Sequence, residues 1–393
     1  SEIELVQSVL DDPTTVLINH KNRWERYDLS ISKFNTETPQ IDQKSQQSIA
    51  VKSLLTMINN WKSSYGELKH EGLFPSYARG YFRGFWAWDS WKHAVALAHF
   101  EPEVAKNQVR AMYDFQNEAG MIADCVFPDT TIENHNWRDT KPPLSAWAVW
   151  SIYEQTHDKS FMAMLYPKIV KYHEWWYKNR DHNGNGLCEY GSTDGTEIAA
   201  RWESGMDNAV RFDHIQMVQN NENAWSMDQE SVDLNSYLFA EKIYLKNMAE
   251  ILGADIDAEK YSTEAAQLKK QIQDLMFDPV DGYFYDIKLK DGSFVKVKGP
   301  EGWIPIWAGV ATKSQGESVL IKIMDPAIFN TKIPFPTLDA SHPKFNPEKG
   351  YWRGPVWMDQ AYFALMGMKK YGYENEALQL TSKIFSEIQY PVL

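Results

Sequence analysis

Two carboxylates, Glu203 and Asp207, stand four residues apart in Trp202-Glu203-Ser204-Gly205-Met206-Asp207, around a Ser-Gly turn. A carboxyl group set among aromatic rings keeps its proton toward neutral pH and can pass it to a leaving-group oxygen. That is the chemistry of glycoside cleavage. With inversion it also needs a second carboxylate across the sugar, roughly 6.5–9.5 Å away, to activate water. A spacing of four is too local for Glu203 and Asp207 to form that pair. One of the two would be the proton donor, with the other a neighbour that helps keep it protonated; the spacing does not say which.

Four further segments share one character. Phe82-Arg83-Gly84-Phe85-Trp86-Ala87-Trp88-Asp89-Ser90-Trp91 crowds aromatic rings beside an Arg and an Asp. Asp89 or Ser90 would serve as a helix N-cap, while the rings suit a wall that stacks on sugar faces, with Asp89 gripping hydroxyls. Asn136-Trp137-Arg138-Asp139-Thr140-Lys141-Pro142-Pro143, Gly299-Pro300-Glu301-Gly302-Trp303 and Trp352-Arg353-Gly354-Pro355-Val356-Trp357 have the same make-up. An aromatic-plus-Gly turn is common taken singly. Four of them, each a long loop entering a helix, point to one shared pocket.

Asp181-His182-Asn183-Gly184-Asn185-Gly186-Leu187-Cys188-Glu189 carries a different chemistry. Oxygen side chains at Asp181, Asn183, Asn185 and Glu189, a Gly at the sixth position and the Leu187 carbonyl at the seventh match the first part of a calcium loop. The bland alternative is an Asn-Gly turn after a helix. The twelfth position is Ser192 rather than Glu, so the loop lacks its usual last carboxylate.

The elements that must position these residues are mostly helical. Three- and four-residue apolar spacing predicts helices over 46–63, 89–99, 102–118, 143–156, 159–179, 229–252, 257–276, 313–324, 355–371 and 374–389. Residues 283–297 read as one hairpin with a Lys-Asp-Gly turn. Residues 1–45 are polar, with Asp-Asp-Pro-Thr-Thr and Thr-Glu-Thr-Pro turn signals, and read as an irregular lead-in to one domain over 46–393. Short and long connections alternate. This suggests helical hairpins around an axis with the long loops gathered at one end.

The whole-chain numbers fit. Aromatic residues make up 14% of the 393, including 16 Trp, which suits either sugar stacking or a large Trp-filled core. A net charge of −13 argues against nucleic-acid or anionic-membrane partners, and no apolar run approaches a membrane span. Cys125 and Cys188 are too few for a disulfide framework, and spacing does not decide whether they pair. No His-Glu-x-x-His, phosphate loop or Gly-x-Ser-x-Gly elbow is present, so paired carboxylates remain the best-supported chemistry.

In this order, Phe-Trp-Ala-Trp-Asp-Ser-Trp (85–91), Thr-Lys-Pro-Pro (140–143), Asp-His-Asn-Gly-Asn-Gly (181–186), Trp-Glu-Ser-Gly-Met-Asp (202–207), Ser-Val-Asp-Leu-Asn-Ser-Tyr (231–237), Gly-Pro-Glu-Gly-Trp (299–303) and Tyr-Trp-Arg-Gly-Pro-Val-Trp (351–357) resemble glycoside hydrolase family 63. Its bacterial α-glucosidases look most similar, with the family 37 trehalases more distant. The resemblance implies an all-α (α/α)6 barrel, with its closure at the C-terminal end left open, and inverting cleavage of an α-glucosidic bond in a small oligosaccharide. Asp207 would be the general acid. Phe85, Trp86, Trp88, Asp89, Asn136, Lys141, Glu203, Gly205, Trp303, Trp352 and Arg353 would hold the sugar. Ca2+ would be bound by Asp181, Asn183, Asn185, Leu187 and Glu189, with Glu230 completing the set. The family's general base is a Glu in a segment that has no counterpart before Leu393, and Glu387 sits in a predicted helix without the motif. The β-rich domain of the bacterial relatives is absent too. The chain therefore reads as the barrel portion of a longer protein or as a truncated homologue. A periplasmic or secreted location is expected. The competing expectations are a sugar-binding barrel without turnover and a trehalase.

Overall fold

The computed structural model describes residues 2–32, 43–77 and 79–388. Helices dominate: α1 (Glu2–Asp11), α2 (Pro13–Ser32), α3 (Gln43–Asn59), α4 (Ala87–Leu97), α5 (Pro102–Tyr113), α6 (Ser145–Thr156), α7 (Lys159–Arg180), α8 (Glu197–Glu203), α9 (Val232–Leu252), α10 (Asp255–Leu275), α11 (Ile304–Ala308), α12 (Lys313–Met324), α13 (Met358–Lys370) and α14 (Glu374–Ile388). The contacts trace a barrel. α4 packs on α6, α6 on α9, α9 on α11 and α11 on α13, which makes an inner ring. Lys92 of α4 reaches Asp359 of α13 at 2.7 Å and ties the two ends of that ring together. α5, α7, α10 and α14 lie outside, each packed on the inner helix it precedes or follows. This is the (α/α)6 plan, with five inner helices among the described residues.

The ring holds because one face of each inner helix is apolar and the faces meet in one core. Trp91, Trp147, Tyr237, Trp307 and Phe363 are buried there. Trp307 and Phe363 meet edge-on at 4.7 Å, and Tyr237 meets Trp307 at 5.8 Å. Helix ends carry their own signals. Asp158 accepts from the Phe161 N–H at 3.0 Å to start α7, Thr312 and Gln315 form a capping box on α12, and Gly253 closes α9 in the left-handed conformation.

Three expectations fail locally. Residues 1–45 are not irregular, since α1 and α2 fill most of the described part and α3 begins at Gln43. Turn residues at 11–14 only separate the first two helices. α2 docks through Tyr27 and Ile31 onto Leu54 of α3, in a small satellite cluster apart from the main core. Residues 33–42, which include the Thr-Glu-Thr-Pro signal, lie outside the described residues. The 283–297 hairpin survives only as its turn: Ile287 bridges Phe294, while 283–284 pair with 277–278 and 287–288 pair with 229–230. A three-stranded sheet of 191–192, 217–221 and 224–227 was not foreseen. Its strands are two to five residues long, too short to show the alternation that marks a half-buried strand.

Candidate active site

α8 ends at Glu203, and the next four residues turn the chain so that Glu203 and Asp207 face opposite ways. Ser204 donates to the Arg201 carbonyl at 2.7 Å and accepts from the Met206 N–H at 3.0 Å. Gly205 has φ +73°, and a Cβ there would lie 2.4 Å from the Trp88 ring. Only glycine satisfies both demands. The turn delivers Asp207 to the wall of a cavity of about 1450 Å³, whose lining includes Trp86, Trp88, Asp89, Asn136, Lys141, Trp202, Gly205 and Trp352.

Tyr351 donates its hydroxyl to Asp207 Oδ2 at 3.0 Å. Its own backbone has φ +62°, a strained value for a tyrosine. The surrounding loop over-determines that strain. Asn208 accepts from the Trp352 N–H at 2.9 Å and donates to the Gly350 carbonyl at 3.0 Å. Arg353 donates to the Asn208 carbonyl at 2.7 Å and pairs with Asp213 at 2.5 Å. Trp352 and Trp357 stack at 4.5 Å with planes 4° apart, and Lys92 Nζ lies 3.5 Å over the Trp88 ring.

Burial raises the Asp207 carboxyl above the ordinary carboxylate range, and the Asp124 charge pushes the same way. Lys141 and the Tyr351 hydroxyl oppose the rise without cancelling it. Lys141 is held by Asp124 at 3.1 Å and Asp139 at 3.7 Å, and it donates to the Trp202 carbonyl. Asn136 spans the same two acids, donating to Asp124 at 2.7 Å and Asp139 at 2.9 Å. The cavity wall thus carries a carboxyl group whose acidity is set first by burial, then by one cation, one phenol and one buried acid.

Four predicted sugar contacts do not line the cavity. Glu203 is fully buried and takes both ends of the Arg180 guanidinium at 2.7 Å, with the Gly191 N–H at 2.6 Å and the Thr140 N–H at 3.3 Å. Those four donors make it an anchor, and it is burial, with Asp124 adding to it, that raises Asp207. Phe85 precedes Trp86 on a strand, so alternation sends Phe85 into the core, 5.2 Å from Phe74, and Trp86 to the cavity. Trp303 packs in the core on Phe329 at 5.0 Å. Arg353 braces the Asp207 loop. The expected cap at Asp89 or Ser90 is absent as well. The 85–86 strand pairs with 125–126, the Ala87 N–H bonds the Asp124 carbonyl at 2.8 Å, and α4 starts at once. Asp89 is therefore left for the cavity. Tyr351, Asp124 and the Lys92–Asp359 pair were missed, because each depends on chain segments that meet only in the fold.

The 181–189 loop is folded on its own oxygens. Asp181 accepts from the Asn185 N–H at 3.0 Å and the Gly186 N–H at 2.9 Å. Asn183 and Asn185 donate to Glu230 Oε1 at 3.3 and 2.7 Å. Glu189 accepts from the His182 N–H at 3.1 Å through one oxygen, and its other oxygen is buried without a partner. Among the described residues no three His, Cys, Asp or Glu side chains stand together as a metal cluster. The Asn amides and the Leu187 carbonyl would have to complete an all-oxygen set, and the orphaned Glu189 oxygen fits such a role. Glu387, the acid nearest the end of the chain, pairs with Lys332 at 3.2 Å and does not line the cavity. Cys125 and Cys188 are both buried and unpaired with one another. No described helix is long and apolar enough to cross a membrane.

The helical ring with an aromatic, carboxylate-bearing cavity at its mouth defines a glycosidase-type barrel. The family model described as mannosylglycerate hydrolase MGH1-like glycoside hydrolase domain matches residues 82–391, and the chain belongs to that family, within glycoside hydrolase family 63. The mannosylglycerate hydrolase of Rubrobacter radiotolerans is 23% identical over 372 residues, covering 76% of this chain and 82% of its own. Mannosylglycerate hydrolase MGH1 of Selaginella moellendorffii is 25% identical over 369 residues, with 77% and 73% covered. A solved family 63 mannosylglycerate hydrolase of Thermus thermophilus superposes with a TM-score of 0.70 at 19% identity, over 86% of this chain and 92% of that one. At that identity the likeness concerns the fold.

Proposed function

We propose that the chain hydrolyses an α-linked hexosyl bond, glucosyl or mannosyl, with inversion, and that Asp207 protonates the departing oxygen. The observation that carries this is Asp207 on the cavity wall, raised by burial above the ordinary carboxylate range and hydrogen-bonded by the Tyr351 hydroxyl. The hexose ring would lie against Trp88 and Trp352, with Asp89 accepting from its hydroxyls. Asp89, Asp124, Glu133 and Asp359 are the other carboxylates of the cavity. Asp124 is taken up by Lys141 and Asp359 by Lys92. Asp89 and Glu133, whose carboxylates have no hydrogen bond or ion pair among the described residues, are thus the candidates to draw a proton from water. The α-glucosidic expectation widens to include mannose because the relatives are named mannosylglycerate hydrolases.

The test is an assay with α-glucosides and α-mannosides, following the anomer released. Asp207→Asn should cost about 10²–10⁴ in kcat with an unchanged melting temperature. Retained activity would remove the assignment. Asp89→Asn and Glu133→Gln in the same assay separate the two candidate bases. If wild-type protein binds hexose without cleaving any glycoside, a sugar-binding barrel replaces the enzyme.

We also propose that the 181–189 loop with Glu230 takes Ca2+. The ion would brace the loop against the start of α9 and play no part in bond cleavage. Addition of Ca2+ after chelation should raise the melting temperature, and an unchanged one would refute the site.

A further inference from the structure

The cavity is larger than its reaction centre. At about 1450 Å³ it exceeds the ~300–1,000 Å³ of a pocket that encloses one drug-sized ligand. A hexose beside Asp207, Trp88 and Trp352 would take up only part of the lining. A second set of rings also lines it. Tyr81 meets Phe82 at 4.5 Å, Phe82 meets Trp86 at 5.2 Å and Trp86 meets Phe127 at 5.6 Å, each ring tilted or edge-on to the next. Trp86 joins this ladder to the reaction centre, since it precedes Trp88 by two residues and its strand pairs with Cys125, next to Asp124.

The charges of the cavity narrow what the ladder can receive. Among the described residues, every Lys and Arg that lines it already has an acid partner: Lys92 with Asp359 at 2.7 Å, Lys141 with Asp124 at 3.1 Å and Arg138 with Asp194 at 2.6 Å. His93 and His135 are both lowered by burial and are neutral near pH 7. The lining charges without a partner are the carboxylates Asp89 and Glu133. An anionic leaving group would meet two unopposed negative charges and no unengaged cation.

We infer that the Tyr81–Phe82–Trp86–Phe127 ladder is a leaving-group subsite for a neutral aglycone with flat C–H faces, a further sugar ring, and not for a carboxylate-bearing one such as glycerate. This rests on the reading of Asp207 as the proton donor. It separates this chain from what its relatives are named for. Apolar ring faces bind sugar rings by area and stacking, without hydrogen-bond direction, so a ladder tolerates more than one linkage.

Calorimetric titration of the Asp207→Asn protein measures this, with glucose, α-linked di- and trisaccharides of glucose and of mannose, and α-mannosylglycerate as probes. The trisaccharides should bind about tenfold tighter than the disaccharides, and α-mannosylglycerate should bind no tighter than the monosaccharide. Phe82→Ala should erase the gain with chain length. Tyr81→Ala, at a more exposed position, should do the same in part and guards against a misfolded Phe82 variant. Affinity that does not rise with length, or tightest binding of α-mannosylglycerate, overturns the subsite. The two readings fail separately. Wild-type protein that cleaves α-mannosylglycerate in preference to neutral saccharides keeps the enzyme and loses the ladder. Protein that cleaves nothing yet binds trisaccharides through Phe82 keeps the ladder and loses the enzyme.

Discussion

At Asp207 two influences of opposite sign meet, and each can be removed singly. The Tyr351 hydroxyl stabilises the carboxylate form, so Tyr351→Phe raises the Asp207 pKa further. The acid then stays protonated to higher pH, and the falling limb of the kcat profile moves toward alkaline pH. A limb that stays put or moves toward acid would show that Asp207 is not the titrating donor. Glu203 predicts the opposite kind of effect. Glu203→Gln leaves the buried Arg180 guanidinium without its counter-charge, which costs about 3–5 kcal/mol. Denaturant melts should show that loss, whereas a residue that only touched sugar would change affinity and leave stability alone. The place of Asp207 on the cavity wall was legible because it needs only local features, a carboxyl after a Gly turn among rings. Glu203 was misassigned because Arg180, its partner, lies 23 positions upstream and meets it only when α7 and α8 pack.

Between residue and barrel, one buried node holds the acid-bearing loop. Arg211 lies in the short 3-10 turn just after Asp207 and bonds Asp233 at 2.6 Å and Asp286 at 3.1 Å, with Glu301 at 4.0 Å. These acids belong to the start of α9, the segment after the 283–284 strand and the turn before α11, so four elements converge on one guanidinium. Three acids on one cation cannot all ionise cheaply. Burial pushes Glu301 up to about 8, with Asp286 and Asp233 adding to it and Arg211 opposing. In the unfolded chain Glu301 reverts toward its ordinary value of 4.5. Between those two values the folded state holds the extra proton. The stability this group contributes is complete at low pH and is lost as pH rises through about 8. Glu301→Gln should raise the melting temperature by roughly 2–5 °C at pH 9 and flatten its fall between pH 5 and 9. A variant as pH-sensitive as wild type would rule out Glu301 as the source. The ten helices expected from apolar periodicity were legible to within a few residues, because that periodicity is a local signal, whereas α1, α2, α8 and α11 were not foreseen. The three-stranded sheet was not either, since its strands are short and 191–192 meets the 217–227 hairpin only in the fold.

The whole molecule divides unevenly. The barrel has one continuous core, whereas α2 joins it through Tyr27, Ile31, Leu54 and the Tyr27 hydroxyl on Glu101 at 2.8 Å. A chain starting at residue 43 should keep the cavity and its sugar affinity, with a modest loss of melting temperature. Loss of binding in that chain would show that α1 and α2 support the site. The ring arrangement itself was legible from alternating short and long connections, and the family resemblance agreed with it. What lay beyond reach was which aromatics face inward. Trp86 and Phe85 are adjacent in sequence and chemically alike, and only strand alternation sends one to the cavity and the other to the core.

The two buried thiols have a practical meaning. Cys125 lines the cavity beside Asp124, and Cys188 lies within the 181–189 loop and donates its N–H to Asn235 at 2.8 Å. Burial raises both thiols above their ordinary range, so neither reacts with an alkylating reagent while its surroundings stay shut. The molecule therefore carries one native stopwatch at each of the two proposed sites. Sugar should slow the alkylation of Cys125 and calcium that of Cys188, so opening of each site can be timed without adding a foreign label.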